Sequence, residues 1–318
     1  MTRLGYQIPN FTYPGVTSAG LYEVIARQAV EAEESGFDTV LVMDHFYQLP
    51  LLGDPANEML ECYTLLAALS QRTSRVRLSA LVTGNTYRNP ALLAKTVTAL
   101  DIVSGGRAQL GIGAGWYEQE HTALGFEFGT FTDRFERLEE ALQIITGMLR
   151  GDRPSLDGRW YAVRDAINSP APVGRIPVMI GGAGERKTLR MAAQYADESN
   201  LICPIDDIPR KLEVLDAHCA KLGRDRSELT VTYQTSVAIA PTREQAIREA
   251  DEAVARIPEM AARRPTIICG DPDDVAAAYE RIMATGVDGV TVNLPTNCHI
   301  EGRVRLLGQT LARPCGGT

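Results

Sequence analysis

The chain has 318 residues, 45% of them hydrophobic, and 40 acidic against 32 basic side chains leave a formal net charge of -8. An acidic balance without a basic block argues against nucleic acid as a partner, and no stretch approaches the roughly 20 apolar residues of a membrane span. Six cysteines without a Cys-x-x-Cys pair and four histidines without His-x-x-x-His or His-x-His spacing point away from zinc sites, disulfide frameworks and metal hydrolases, so no metal is expected.

Residues 1–7 lack the apolar core and small-residue cleavage site of a secretory leader, and the expected location is cytoplasmic. Short apolar, β-branched runs then recur at 4–8, 39–43, 77–82, 108–112, 178–180, 198–201, 230–239 and 289–293, with amphipathic segments between them. The segment 133–147 shows the helical pattern: Phe135, Leu138, Leu142, Ile145 and Leu149 make one apolar stripe, while Glu136, Arg137, Glu139 and Glu140 are expected in solvent. Strand-helix alternation means a parallel sheet. Eight units over this length point to an α/β fold, a closed (β/α)8 TIM barrel forming one domain over 1–318, ahead of an open doubly wound sheet. Insertions are expected after the fourth and seventh strands. The first carries a hairpin at 156–163 turning on Asp157-Gly158; in the second, Pro258 and Pro265 break a helix before a short strand at 266–269 and a helix behind Gly270-Asp271-Pro272.

In such barrels the working residues follow the C-terminal ends of the strands. The run 100–116 is the most informative: a helix stops at Gly105-Gly106, and a strand stops in Gly113-Ala114-Gly115-Trp116, where missing Cβ atoms allow either a planar ligand or a tight turn. Met43-Asp44-His45-Phe46, Thr83-Gly84-Asn85-Thr86 and Gly181-Gly182-Ala183-Gly184 follow the second, third and fifth strands and collect at the same mouth. The last run precedes a helix expected to begin near Glu185, so its amide N–H groups form an anion site. Arg186 and Lys187 either complement that anion or are solvated surface charges. His45 is the expected proton carrier, with Asp44 beside it to orient it or hold it charged, unless both still lie on the strand and point to opposite faces. His121, His218 and His299 have no such company. Lys95, Lys187, Lys211 and Lys221 all fall on predicted helices, which removes a Schiff-base aldolase or isomerase.

Together these pieces resemble the bacterial luciferase-like superfamily, in its branch of oxidoreductases that use the deazaflavin coenzyme F420. The resemblance covers nearly the whole chain and rests on Gly36-Phe37-Asp38 leading to Asp44-His45-Phe46, on 83–90, 100–116 and 176–182, and on Gly286-Val287-Asp288-Gly289-Val290. It implies hydride transfer between the deazaflavin and a small organic substrate, with Asp44 and His45 near the redox ring and Thr83 against it. It implies ring and phosphate contacts from Gly113, Gly115, Gly181 and Gly182, with Ala114, Trp116, Ala183, Gly184, Arg186 and Lys187 completing the cofactor set. A bulged third strand with a non-proline cis peptide at Ala80-Leu81 is implied as the backing of the ring, and so is a homodimer. An FMN-dependent two-component monooxygenase of the same superfamily, or a non-catalytic flavin-binding protein, are the alternatives. The glucose-6-phosphate dehydrogenases of this branch carry a glutamate after the Gly-rich turn of the fourth strand. This chain has Trp116 there, which argues against that sugar phosphate as substrate.

Overall fold

Each apolar run becomes a buried strand and each amphipathic segment a helix laid over it. The computed structural model describes residues 2–312, so Cys315 lies outside the described residues. Its strands are β1 (Arg3–Ile8), β2 (Thr39–Val42), β3 (Arg77–Ala80), β4 (Thr83–Gly84), β5 (Ala108–Gly113), β6 (Leu156–Asp157), β7 (Ala162–Val163), β8 (Val178–Gly181), β9 (Glu198–Leu201), β10 (Thr230–Ile239), β11 (Ile267–Gly270) and β12 (Gly289–Asn293). The helices are α1 (Ser18–Glu34), α2 (Cys62–Ser70), α3 (Pro90–Ser104), α4 (Glu118–Leu124), α5 (Phe131–Leu149), α6 (Thr188–Tyr195), α7 (Ile208–Leu222), α8 (Arg243–Arg256), α9 (Pro272–Met283) and α10 (Arg303–Leu311).

All pairings of the large sheet are parallel, and they run β1-β2-β3-β5-β8-β9-β10-β12 and back to β1. With β4 continuing β3 along β5, the ring has eight staves and is a closed (β/α)8 barrel. Helices α4 and α5 and the β6-β7 hairpin separate the fourth stave from the fifth, and α8, β11 and α9 separate the seventh from the eighth. The hairpin turns through a longer loop than Asp157-Gly158: Gly158 N–H donates to Tyr161 O, and the N–H groups of Arg159, Trp160 and Tyr161 all donate to the Glu140 carboxylate on α5. That docking also corrects the expectation for Arg137, which is buried under the loop with its guanidinium 4.4 Å from the Trp160 ring.

The barrel interior is polar at its base. Gln109 on β5 donates to Glu198 on β9, Thr232 on β10 donates to the other Glu198 oxygen, and Asn200 reaches Thr291 on β12. β5 and β9 are not neighbours, nor are β9 and β12, so the Gln109–Glu198 and Asn200–Thr291 bonds span the lumen. Above them Leu41, Leu81 and Met179 form a small apolar plug that Val82 completes. The non-proline cis peptide lies at Leu81-Val82, not Ala80-Leu81. Leu81 N–H still donates to Val42 O at 2.8 Å, so pairing with β2 runs one residue beyond the end of β3.

Candidate active site

A cavity of about 510 Å³ opens at the C-terminal ends of the staves, with Met43, His45, Leu81, Trp116, Gln234 and Asn293 among its lining. Parallel strands place all their carboxyl ends at one mouth, which is why residues from β2, β3, β5, β10 and β12 meet there. One buried acceptor in this wall, Asn293 Oδ1, has no partner among the described residues.

His45 is fixed by a carboxylate that the sequence reading overlooked. Its Nδ1 lies 2.8 Å from Glu120 Oε2 on α4. The same carboxylate accepts from the backbone N–H groups of Phe46 and Tyr47 at 2.5 and 2.7 Å and from Tyr87 Oη at 2.5 Å. Glu120 is fully buried. Burial alone would raise its pKa, but the bonds from His45, Tyr87 and Tyr47 outweigh it and hold the carboxyl below its ordinary value. An ionised Glu120 only accepts, so Nδ1 carries the proton and Nε2, with no partner among the described residues, is left to exchange protons in the cavity. The Trp116 and Tyr117 rings meet the imidazole edge-on at 5.8 and 5.9 Å.

Asp44 does not orient His45. It is buried beneath the mouth in a two-pronged ion pair with Arg88, Nη1 to Oδ2 at 2.6 Å and Nη2 to Oδ1 at 3.0 Å, and Arg88 also reaches Glu61. Burial raises the Asp44 pKa and the Arg88 charge opposes that rise. The Tyr63 ring lies 4.9 Å under the guanidinium, and Tyr63 Oη shares a 2.6 Å hydrogen bond with Thr83 Oγ1. Asp44, Arg88, Tyr63 and Thr83 therefore form a buried support on which the His45 loop rests. Thr83 spends its hydroxyl on that support.

His121 has more company than its sequence neighbours suggest. Buried beside Glu120, it bonds Thr86 Oγ1 at 2.6 Å and Tyr117 O at 2.8 Å and packs on Tyr87 at 4.8 Å. Burial lowers its pKa.

The glycines at the strand ends serve the protein's own packing. A Cβ on Gly113 would stand 2.9 Å from Val82 Cγ2, and one on Gly181 2.8 Å from Val82 Cγ1, so both clear space for Val82 in the plug. Gly115, at φ +80°, would meet Thr86 Oγ1 at 2.7 Å. Of the three, only Gly115 has the positive φ of a tight turn.

The loop after β8 departs at one position from the expected row of free amides. Gly182 N–H is taken by Asn200 O, whereas the N–H groups of Ala183, Gly184, Glu185, Arg186 and Lys187 have no partner among the described residues. The helix behind them begins at Thr188, later than expected, and leaves Lys187 at its cap rather than on it. Lys187 Nζ stands 5.6 and 5.4 Å from the Phe131 and Phe135 rings. Arg186 is exposed and makes no ion pair among the described residues. The Glu185 carboxylate is turned away to Lys211 and Arg210.

Glu120 and Arg88 were the residues missed. Glu120 shares the first turn of α4 with Glu118, so the sequence signal, an acid in the first turn of a helix that starts at a strand end, does not single it out.

Comparison with known proteins bears on this geometry. A family model described as luciferase-like monooxygenase matches residues 2–265. A protein of Microbacterium testaceum named F420-dependent glucose-6-phosphate dehydrogenase is 32% identical over 224 residues, 69% of this chain and 65% of that relative. One of the same name from Tsukamurella paurometabola is 27% identical, with 88% of this chain and 93% of the relative covered. Among solved structures, the coenzyme F420-dependent tetrahydromethanopterin reductase of Methanopyrus kandleri superposes with a TM-score of 0.79 at 19% identity, over 98% of both chains.

Proposed function

The chain belongs to the luciferase-like monooxygenase family, and from that footing we propose that it is an F420-dependent oxidoreductase acting on a small organic substrate. The observation that carries the reading is His45, held by an ionised Glu120 with Nε2 free at a cavity on the catalytic face of the barrel. Relatives aligned over most of the chain and named for F420 support the cofactor.

The residues present fit such a group. Asn293 Oδ1 offers a buried acceptor to a ring N–H, Leu81 and Met43 give an apolar surface to a flat ring, and Trp116 stands at the rim. The free N–H groups from Ala183 to Lys187, with the Arg186 and Lys187 charges, suit its phosphate and tail carboxylates. Once bound, the deazaflavin supplies the hydride acceptor or donor. His45 Nε2 exchanges the proton with the substrate oxygen, and Glu120 stabilises the imidazolium while that proton resides there. Trp116 and Tyr117 restrict the ring to one orientation, so the same nitrogen faces the cavity in each turnover. Asp44 and Arg88 act through the loop they support. The same reading takes the protein as a cytoplasmic homodimer built from one domain.

Parallel titration with F420 and FMN tests this, on the wild type and on His45→Ala. F420 binds the more tightly, His45→Ala retains its affinity within a small factor, and single-turnover hydride transfer falls by roughly 10² to 10⁴. Preference for FMN would instead favour the two-component monooxygenase reading.

A further inference from the structure

We propose that the cavity wall facing His45 is an oxyanion subsite built on Arg263, so that the substrate is a small molecule bearing a carboxylate, phosphate or sulfonate. This rests on the reading of His45 as the reacting end, and it adds a second, charged point of recognition.

Arg263 ends the turn Pro258–Ala262 in the insertion between β10 and β11. Its backbone is pinned: the N–H donates to Met260 O at 2.9 Å, and the carbonyl accepts from Thr266 N and Thr266 Oγ1, both at 2.8 Å. The side chain is half-buried and lines the same cavity as His45. A guanidinium carries five N–H donors. Here one side-chain bond is made, Nη2 to Ser236 Oγ at 3.3 Å, and no carboxylate pairs with it among the described residues. The adjacent Arg264 shows the ordinary outcome, an ion pair with Asp251 at 2.8 Å. Other part-buried arginines without an acid, Arg107 and Arg134, give their donors to backbone carbonyls, whereas the Arg263 side chain makes no such bond among the described residues. Burial lowers the Arg263 pKa with no nearby carboxylate to offset it, although the group stays charged at neutral pH. Desolvating a cation is unfavourable unless a counter-charge is brought to it, and a ligand oxyanion fills that role.

The surroundings suit the same ligand. Ser236 Oγ accepts from Arg263, which leaves its own hydrogen to donate to the oxyanion, and the neighbouring Thr235 also lines the cavity. β10, which carries Ser236, stands three places from β2 in the eight-stave ring, so the cation and His45 approach the cavity from nearly opposite sides. The free N–H groups after β8 form a separate anion site on another sector, which gives the cofactor phosphate its own place.

The test is calorimetric binding of matched pairs to wild type, Arg263→Gln and Arg263→Lys, with and without F420. The probes are butanoate against butanamide, propanesulfonate against propanesulfonamide, and butyl phosphate against butanol. Wild type should bind each anion about tenfold or more tightly than its neutral partner. Arg263→Gln should abolish the difference without changing F420 affinity, and Arg263→Lys, which keeps the charge without the planar fork, should retain part of it. No anion preference in the wild type, or a preference that survives in Arg263→Gln, overturns the proposal. Loss of F420 affinity in Arg263→Gln would assign the residue to the cofactor and overturn it as well. If F420 fails to bind wild type while the anion preference still depends on Arg263, this inference stands and the cofactor reading falls.

Discussion

At the scale of single residues, the pairing of His45 with Glu120 decides what the imidazole can do. Two backbone N–H groups occupy one Glu120 oxygen, and His45 with Tyr87 occupies the other. In Glu120→Gln the amide nitrogen avoids the two backbone donors and turns toward His45. Nδ1 must then accept, and the proton moves to Nε2, the wrong tautomer for removing a proton from a substrate hydroxyl. We expect alcohol oxidation to fall by roughly 10² to 10⁴ with cofactor affinity preserved. Stability should also fall, by about 1 to 3 kcal/mol at neutral pH. The sign with pH follows from the lowered Glu120 pKa: its contribution is complete above the ordinary carboxylate value and is lost as pH falls through the folded value. Urea unfolding of the two proteins at pH 7 and pH 4 should therefore show a gap that narrows on acidification. None of this was legible locally, because His45 and Glu120 are 75 residues apart and nothing in either neighbourhood names the other.

At the scale of elements, the strand runs were legible because short β-branched segments buried on both faces leave a clear mark, and all eight appear as staves. The Gly105-Gly106 stop was equally legible, with φ values of +70° and +88° where the helix ends. What Gly113 and Gly181 make room for was not, since Val82 reaches them only once three staves are side by side. Gly181→Ala brings a methyl to 2.8 Å from a branched side chain that has little freedom to move. We expect it to cost about 1 to 3 kcal/mol. In the Val82→Ala background the same change should cost much less, and a double-mutant cycle measured by urea midpoints would show the coupling. Additive costs would mean that the plug relaxes around the new methyl.

At the scale of the molecule, the barrel separates what holds it together from what works. Glu198 joins Gln109 and Thr232 across the base of the lumen, below the apolar plug. Glu198→Ala leaves both donors buried without an acceptor and should cost about 1 to 3 kcal/mol for each. F420 affinity per folded molecule should be unchanged, as calorimetry on the folded fraction would show, because the apolar plug separates the mouth from the base. The overall architecture was readable from strand count and alternation, whereas the second anchor of the cavity was not. Arg263 lies between the two prolines that break the helix, where no periodicity assigns a side chain a direction, and its unused donors become visible only when every neighbouring acceptor has been placed.

The chain contains two tryptophans. Trp116 stands at the rim, 60% exposed and edge-on to His45. Trp160 is held on the β6-β7 loop with the guanidinium groups of Arg137 and Arg159 at 4.4 and 4.5 Å. With Trp160 replaced by phenylalanine and excitation at the red edge, where tyrosine does not absorb, the ultraviolet emission of the protein comes from a single indole beside the cavity. Its colour and intensity then gauge how wet the rim is, and a ligand's arrival can be timed optically without attaching a dye.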